Sequence, residues 1–121
     1  MPYNQYFSVL GPGESLRPGE RIISTNGNVE FKLHDDGRLA VHRHDNKETT
    51  YVFENTAAQR SDVWELKVEE NGNVVLYDKN YKPIWATDTK NVGGPAFLVA
   101  QNDGNVVLYS GTRTWSSNPV R

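Results

Sequence analysis

The chain has 121 residues, with 13 Lys and Arg against 15 Asp and Glu, a formal net charge of -2 and no cysteine. Near-balanced, scattered charge offers no basic patch, which argues against nucleic acid or an anionic membrane surface as partner. Without cysteine there is no disulfide framework, thiolate zinc site or thiol nucleophile, so a single small domain must be held by its core or by assembly.

The opening "MPYNQYFSVLGPGESLRPGE" lacks a basic start followed by a long apolar run, so it does not read as a signal peptide. No stretch approaches the roughly 18 apolar residues of a membrane span. The expectation is a soluble chain, cytoplasmic by default, with no membrane insertion; a secreted mature form stays open.

Beyond the opening, one pattern recurs. Val29, Phe31 and Leu33 alternate with polar residues and run into "DDG"; Trp64, Leu66 and Val68 run into "NGN"; Ala96, Leu98 and Ala100 run into "NDGN". Asn-Gly and Asp-Gly between alternating runs are hairpin signals. Asn73 and Asn105 lie 32 apart, and Phe53, Trp85 and Trp115 follow the turns at steps of 32 and 30. Three repeats, about 29–56, 64–89 and 96–118, therefore share one domain over 1–121. No segment keeps a helical period, so the fold class is all-β.

A unit of this length allows four short strands, and one such sheet cannot bury its apolar face alone. Three can do so around a common axis, for which Phe53, Trp85 and Trp115 are candidates. Strand alternation then sends Val106 and Leu108 inward, with Val74 and Leu76 their counterparts. It sends Gln101, Asp103, Asn105, Val107 and Tyr109 outward in one row. Amide, carboxylate, amide, isopropyl and phenol about 6.6 Å apart on one face suit a ligand edge rich in hydroxyls.

That row, Gln-x-Asp-x-Asn-x-Val-x-Tyr, resembles the mannose-binding motif of the bulb-type (monocot mannose-binding) lectin family. "LGPGESLRPGE", with Leu10, Gly13, Leu16 and Gly19, resembles the family's opening, and "KPIWATDT" (82–89) resembles the segment after a motif copy. The resemblance implies a β-prism II fold: three four-stranded antiparallel sheets around a pseudo-three-fold axis. It implies metal-independent binding of α-D-mannose or mannose-containing glycans, without cofactor. In the implied roles Gln101 bonds the 3-hydroxyl, Asp103 and Asn105 the axial 2-hydroxyl, and Tyr109 the 4-hydroxyl, while Val107 packs on the C3–C4 edge. It further implies a homodimer formed by exchange of the C-terminal strand, with "RTWSSNPVR" as the crossing segment and oligomerisation as the source of multivalency.

The other two copies depart from the motif. The second reads Glu69, Asn71, Asn73, Val75, Tyr77, where Glu accepts but cannot donate and Asn lacks the carboxylate's charge; a weak or altered site is expected. The first reads His34, Asp36, Arg38, Ala40, His42, a degenerate site in which Arg38 fills the cup and Ala40 removes the aliphatic floor.

Catalysis finds no support. Asp35/Asp36 and Glu69/Glu70 are adjacent pairs that point to opposite strand faces and do not converge as a glycosidase pair must. His42 and His44 share a strand face with His34 across the hairpin, but spacing fixes no third metal ligand, so this region reads as a solvated edge. The rival function is a protein-interaction module on a lectin scaffold, which excess mannose would leave unaffected.

Overall fold

A computed structural model describes residues 7–44, 49–52, 60–90, 95–110 and 112–117. Among these the regular structure is all strand: β1 (Val9–Leu10), β2 (Ser15–Leu16), β3 (Arg21–Ile23), β4 (Val29–Leu33), β5 (Leu39–Arg43), β6 (Thr49–Val52), β7 (Val63–Val68), β8 (Val74–Asp78), β9 (Pro83–Ala86), β10 (Phe97–Ala100), β11 (Val106–Ser110) and β12 (Thr112–Ser116). No helix among the described residues is long and apolar enough to cross a membrane.

The strands form three four-stranded antiparallel sheets, ordered β3-β4-β5-β6, β2-β7-β8-β9 and β1-β10-β11-β12. Each sheet takes three consecutive strands from one stretch of chain. Its fourth strand comes from the opening segment, not from the same unit. The run 9–23 lays two or three residues on the edge of each sheet in turn, through Val9↔Val99, Ser15↔Lys67 and Arg21↔Lys32. The "Leu-x-x-Gly" periodicity now has a cause: Leu10, Leu16 and Ile22 are the buried residues of these three edge strands, all at 0% exposure. Turns at Gly13 and Gly19, both at positive φ, carry the chain between sheets.

The hairpins share one register. Leu33 faces Leu39, Val68 faces Val74 and Ala100 faces Val106 across the central turn of each sheet. Inward residues from all three sheets make one core cluster, from Leu10 through Phe31, Leu66 and Leu76 to Leu98 and Leu108. Burial of apolar side chains at about 25 cal/mol per Å² is the main force closing the sheets on one another.

The aromatic axis expected from the period is not what fills the centre. Phe31 and aliphatic residues are the largest fully buried side chains. Trp85 and Trp115 are half-buried, pack against the cluster and meet edge to face with ring centroids 5.9 Å apart. They sit opposite Leu76 and Leu108 on strands β9 and β12, each at a sheet edge, which explains their partial exposure. Phe53 lies outside the described residues.

Candidate functional site

Each five-residue row begins at the end of one strand, crosses the turn and runs along the next. The turn is built the same way three times. The N–H of Gly37, Gly72 and Gly104 donates to the carbonyl three residues earlier, of His34, Glu69 and Gln101. These residues in turn donate to the carbonyls of Arg38, Asn73 and Asn105, closing the hairpin. The glycines have φ of 88°, 92° and 101°, the left-handed region that completes such a turn. At Gly104 proximity adds to conformation: a Cβ there would lie 3.1 Å from the Arg43 guanidinium carbon.

The second residue of each row has a structural task. Asp36, Asn71 and Asp103 each accept, through Oδ1, the backbone N–H two residues on, at 3.2, 3.0 and 3.0 Å. This Asx contact is the local reason for Asp or Asn at that position. It occupies Oδ1 and leaves Oδ2 of the aspartates, or Nδ2 of Asn71, for a second partner.

The first and fifth residues also meet in all three rows. Gln101 Nε2 donates to the Tyr109 hydroxyl at 2.6 Å, the Tyr77 hydroxyl donates to the Glu69 carboxylate, and His34 Nε2 lies 2.8 Å from His42 Nε2. One geometric contact therefore carries three chemistries. The amide–phenol pair leaves the tyrosine O–H available to donate. In the second row burial, then the bond to Glu69, pushes the Tyr77 phenol up to about 12. In the first row burial, and then the charge of Lys32 for His34 and of His34 for His42, hold both imidazoles below their usual range.

The rows differ most in what remains open. In row 101–109, Asp103 Oδ2 and the Asn105 side-chain amide have no hydrogen-bond partner among the described residues. Asp103 is exposed and Asn105 half-buried, so both can reach a ligand. In row 69–77, Asn73 is only 9% exposed, and its Oδ1 accepts from Val74 N–H, Thr87 Oγ1 and Thr89 N–H at 3.1, 3.2 and 3.2 Å. In row 34–42, Arg38 turns back onto Asp36 with Nε 2.9 Å and Nη2 2.8 Å from Oδ2, which holds the Asp36 carboxyl below its ordinary range.

The aliphatic position is deeper than alternation suggests. Val107 lies on the outer face yet is 1% exposed, and Val75 and Ala40 are 3% and 0% exposed. All three stand outside the core cluster. Val107 sits in the middle of its sheet, between Val99 and Ser116 across the strands and Asn105 and Tyr109 along its own. It is the covered floor of a cup whose rim is polar.

Residues outside the motif also shape the cup. Asn102 accepts from Asn26 N–H at 3.0 Å and donates to Thr25 Oγ1 at 3.0 Å, fastening the turn that carries Asp103 to the 24–28 loop. Its separation of 76 and 77 residues from those partners hides this tie from any local reading. Beside the second row, Tyr81 stacks on Tyr77 with centroids 4.4 Å apart and donates to Glu65. Arg17 lies over the Trp64 ring at 3.9 Å.

No family model matches the chain. It is similar to a mannose-specific lectin of Dendrobium findlayanum, 46% identical over 50 residues that make up 41% of this chain. The chain spans 29%, 27% and 38% of the lengths of the curated mannose-specific lectins it matches from Dendrobium findlayanum, Galanthus nivalis and Narcissus pseudonarcissus. Solved structures cover more. The Marasmius oreades lectin is 31% identical with a TM-score of 0.79, over 93% of this chain and 92% of that one. The snowdrop (Galanthus nivalis) mannose-specific agglutinin, solved with methyl-α-D-mannoside, is 31% identical with a TM-score of 0.71, over 94% and 98%. The three-sheet architecture and this full-length similarity agree: the chain belongs to the bulb-type (monocot mannose-binding) lectin family, on the β-prism II fold.

Proposed function

We propose that the protein is a lectin that binds α-D-mannose or mannose-containing glycans at one cup per chain, formed by Gln101, Asp103, Asn105, Val107 and Tyr109. The observation that carries this reading is the open state of Asp103 Oδ2 and the Asn105 amide beside a phenol whose O–H is free to donate. A pyranose hydroxyl both donates and accepts, and these three groups offer both capacities on one edge. The snowdrop agglutinin, solved with methyl-α-D-mannoside, supports the sugar class. Acceptance by the Asp103 carboxylate is charge-assisted and is the strongest single bond of the set. The axial 2-hydroxyl distinguishes mannose from glucose, so discrimination resides at Asp103 and Asn105.

The three repeats, 29–56, 64–89 and 96–118, act as one lectin domain over 1–121 with unequal cups. Row 69–77 is the weaker site, because Asn73 is held by Thr87 and Thr89 and because Glu69 holds Tyr77. Row 34–42 does not take mannose, because Arg38 and Asp36 satisfy each other.

A shallow cup with a handful of hydrogen bonds at about 1 kcal/mol each gives roughly millimolar affinity, about -4 kcal/mol. Tight binding to a glycan surface then needs linked cups, which multiply affinity by roughly 10²–10⁴. A homodimer formed by exchange of the C-terminal strand supplies them. Within one chain β12 pairs with β11, and exchange would remake the same pairing with a partner at little enthalpic cost. Light scattering of the chain with and without mannose measures the assembly. Titration with methyl-α-D-mannoside, methyl-α-D-glucoside as control, tests the ligand. Saturation by the mannoside alone supports the reading, and no mannoside binding at tens of millimolar overturns it.

A further inference from the structure

Row 34–42 has lost the groups that hold a sugar but has gained a pair of converging imidazoles. His34 follows β4 and His42 lies on β5, so the hairpin fixes both backbones, and their Nε2 atoms stand 2.8 Å apart. His42 Nδ1 is 3.0 Å from Thr50 Oγ1. With the Nδ1 proton donated to that hydroxyl, the Nε2 lone pair of His42 points at His34. This is how ligating histidines are usually oriented, the far ring nitrogen being held by an outer partner. Ala40, where the other rows carry valine, keeps side-chain bulk small beneath the two rings.

We propose that this cup binds one divalent transition-metal ion of the zinc, nickel or copper class between His34 Nε2 and His42 Nε2. Imidazole ligands select these metals, whereas magnesium and calcium require oxygen donors. Zinc–nitrogen bonds of about 2.0–2.1 Å in tetrahedral geometry put two ligand nitrogens about 3.3 Å apart. The pair must open by roughly half an ångström, which two half-buried rings at the sheet surface achieve by small side-chain rotations. On binding, the proton between the rings moves to His34 Nδ1, so both histidines stay neutral and each Nε2 donates a lone pair to the metal.

The surroundings bear on how many ligands the protein supplies. Asp36 is engaged by Arg38, and Glu30 by Arg21 and by His44, whose Nε2 is 3.1 Å from Glu30 Oε1. Among the described residues no three histidine, aspartate or glutamate side chains converge on one point. Two protein ligands completed by water are the result. The carboxylates of Glu30 and Asp36 are paired with the guanidinium groups of Arg21 and Arg38, and the Lys32 charge acts on both imidazoles, so the imidazole lone pairs rather than an attractive local field set affinity.

The experiment uses the untagged full chain, freed of metal by a chelator and titrated calorimetrically with Ni²⁺ and with Zn²⁺ alone. The expected result is one saturable ion per chain, weakened at least tenfold by His34→Ala and by His42→Ala. His44→Ala is expected to stay within threefold, since that ring turns to Glu30. His34→Gln, which copies the Gln101 position, serves if His34→Ala does not fold, and retained mannoside binding reports an intact fold. Absence of saturable binding up to millimolar metal overturns the proposal. So does binding that survives replacement of both His34 and His42, which would place the ion elsewhere.

Discussion

Rows 101–109 and 69–77 share turn, register and core, and they differ in which polar atoms are left over. Leu108 and Leu76 are both fully buried, each opposite a tryptophan on the next strand. The Asx contact beneath each turn is 3.0 Å in both. Above that shared frame, Asn105 is unengaged among the described residues while Asn73 is tied to Thr87 and Thr89. The tyrosine of one row meets an amide and that of the other a carboxylate. A motif asparagine is thus left open or held in a structural role according to what the segment after the sheet's last strand provides. Matching letters in a repeat establish a matching backbone, and only the hydrogen-bond inventory establishes a matching site.

That comparison can be broken or sharpened in several ways. The largest effect tests the shared part: Leu108→Ala and Leu76→Ala should each destabilise the fold by about 2–5 kcal/mol, read as denaturant midpoints. A severe loss from one and none from the other would show that the cores are not equivalent. Next, Asn105→Ala with Tyr109→Ala should abolish measurable mannoside binding, since two of the cup's few bonds at about 1 kcal/mol each are lost. Asn73→Ala with Tyr77→Phe should leave that binding within twofold.

A smaller change is expected from Asn102→Ala. It releases the turn from Thr25 and Asn26, and mannoside affinity should fall about fivefold, roughly one hydrogen bond, with thermal stability nearly unchanged. The smallest effect concerns the second row alone. Tyr77 is pushed up to about 12, first by burial and then by Glu69, while an unfolded tyrosine ionises near 10. A raised folded-state value means that its stabilising contribution is complete below about pH 10 and is lost as pH climbs towards 12. Glu69→Gln should lower the phenol's titration in an alkaline absorbance scan and shrink the stability loss in that window.

Much of the fold is legible in the sequence, for identifiable reasons. Alternation marks β4, β7 and β10, and the Asp-Gly and Asn-Gly turns mark where each hairpin reverses, because these signals are local. The fourth strand of each sheet is hidden because β1, β2 and β3 are two or three residues long, too short to display a period. The Leu-x-x-Gly spacing of the opening does not by itself reveal them as strands; the sheet order supplies its cause. The depth of Val107 is hidden for another reason: alternation gives the side of the sheet, whereas exposure depends on cross-strand neighbours. For the site, the row and its turn can be read directly, and His34 can be placed across the hairpin from His42. The lock on Asn73 cannot, since Thr87 and Thr89 lie 14 and 16 residues away, beyond any spacing rule for a single hairpin.

The most direct test of one working cup is calorimetric titration of methyl-α-D-mannoside into the wild-type chain and into Asp103→Ala. A charge-assisted bond contributes about 1.5–3 kcal/mol, so the account predicts about one mannoside per chain for the wild type and a roughly ten- to hundredfold loss in the variant. Unchanged affinity in Asp103→Ala, or two or more equal sites per chain in the wild type, would contradict it.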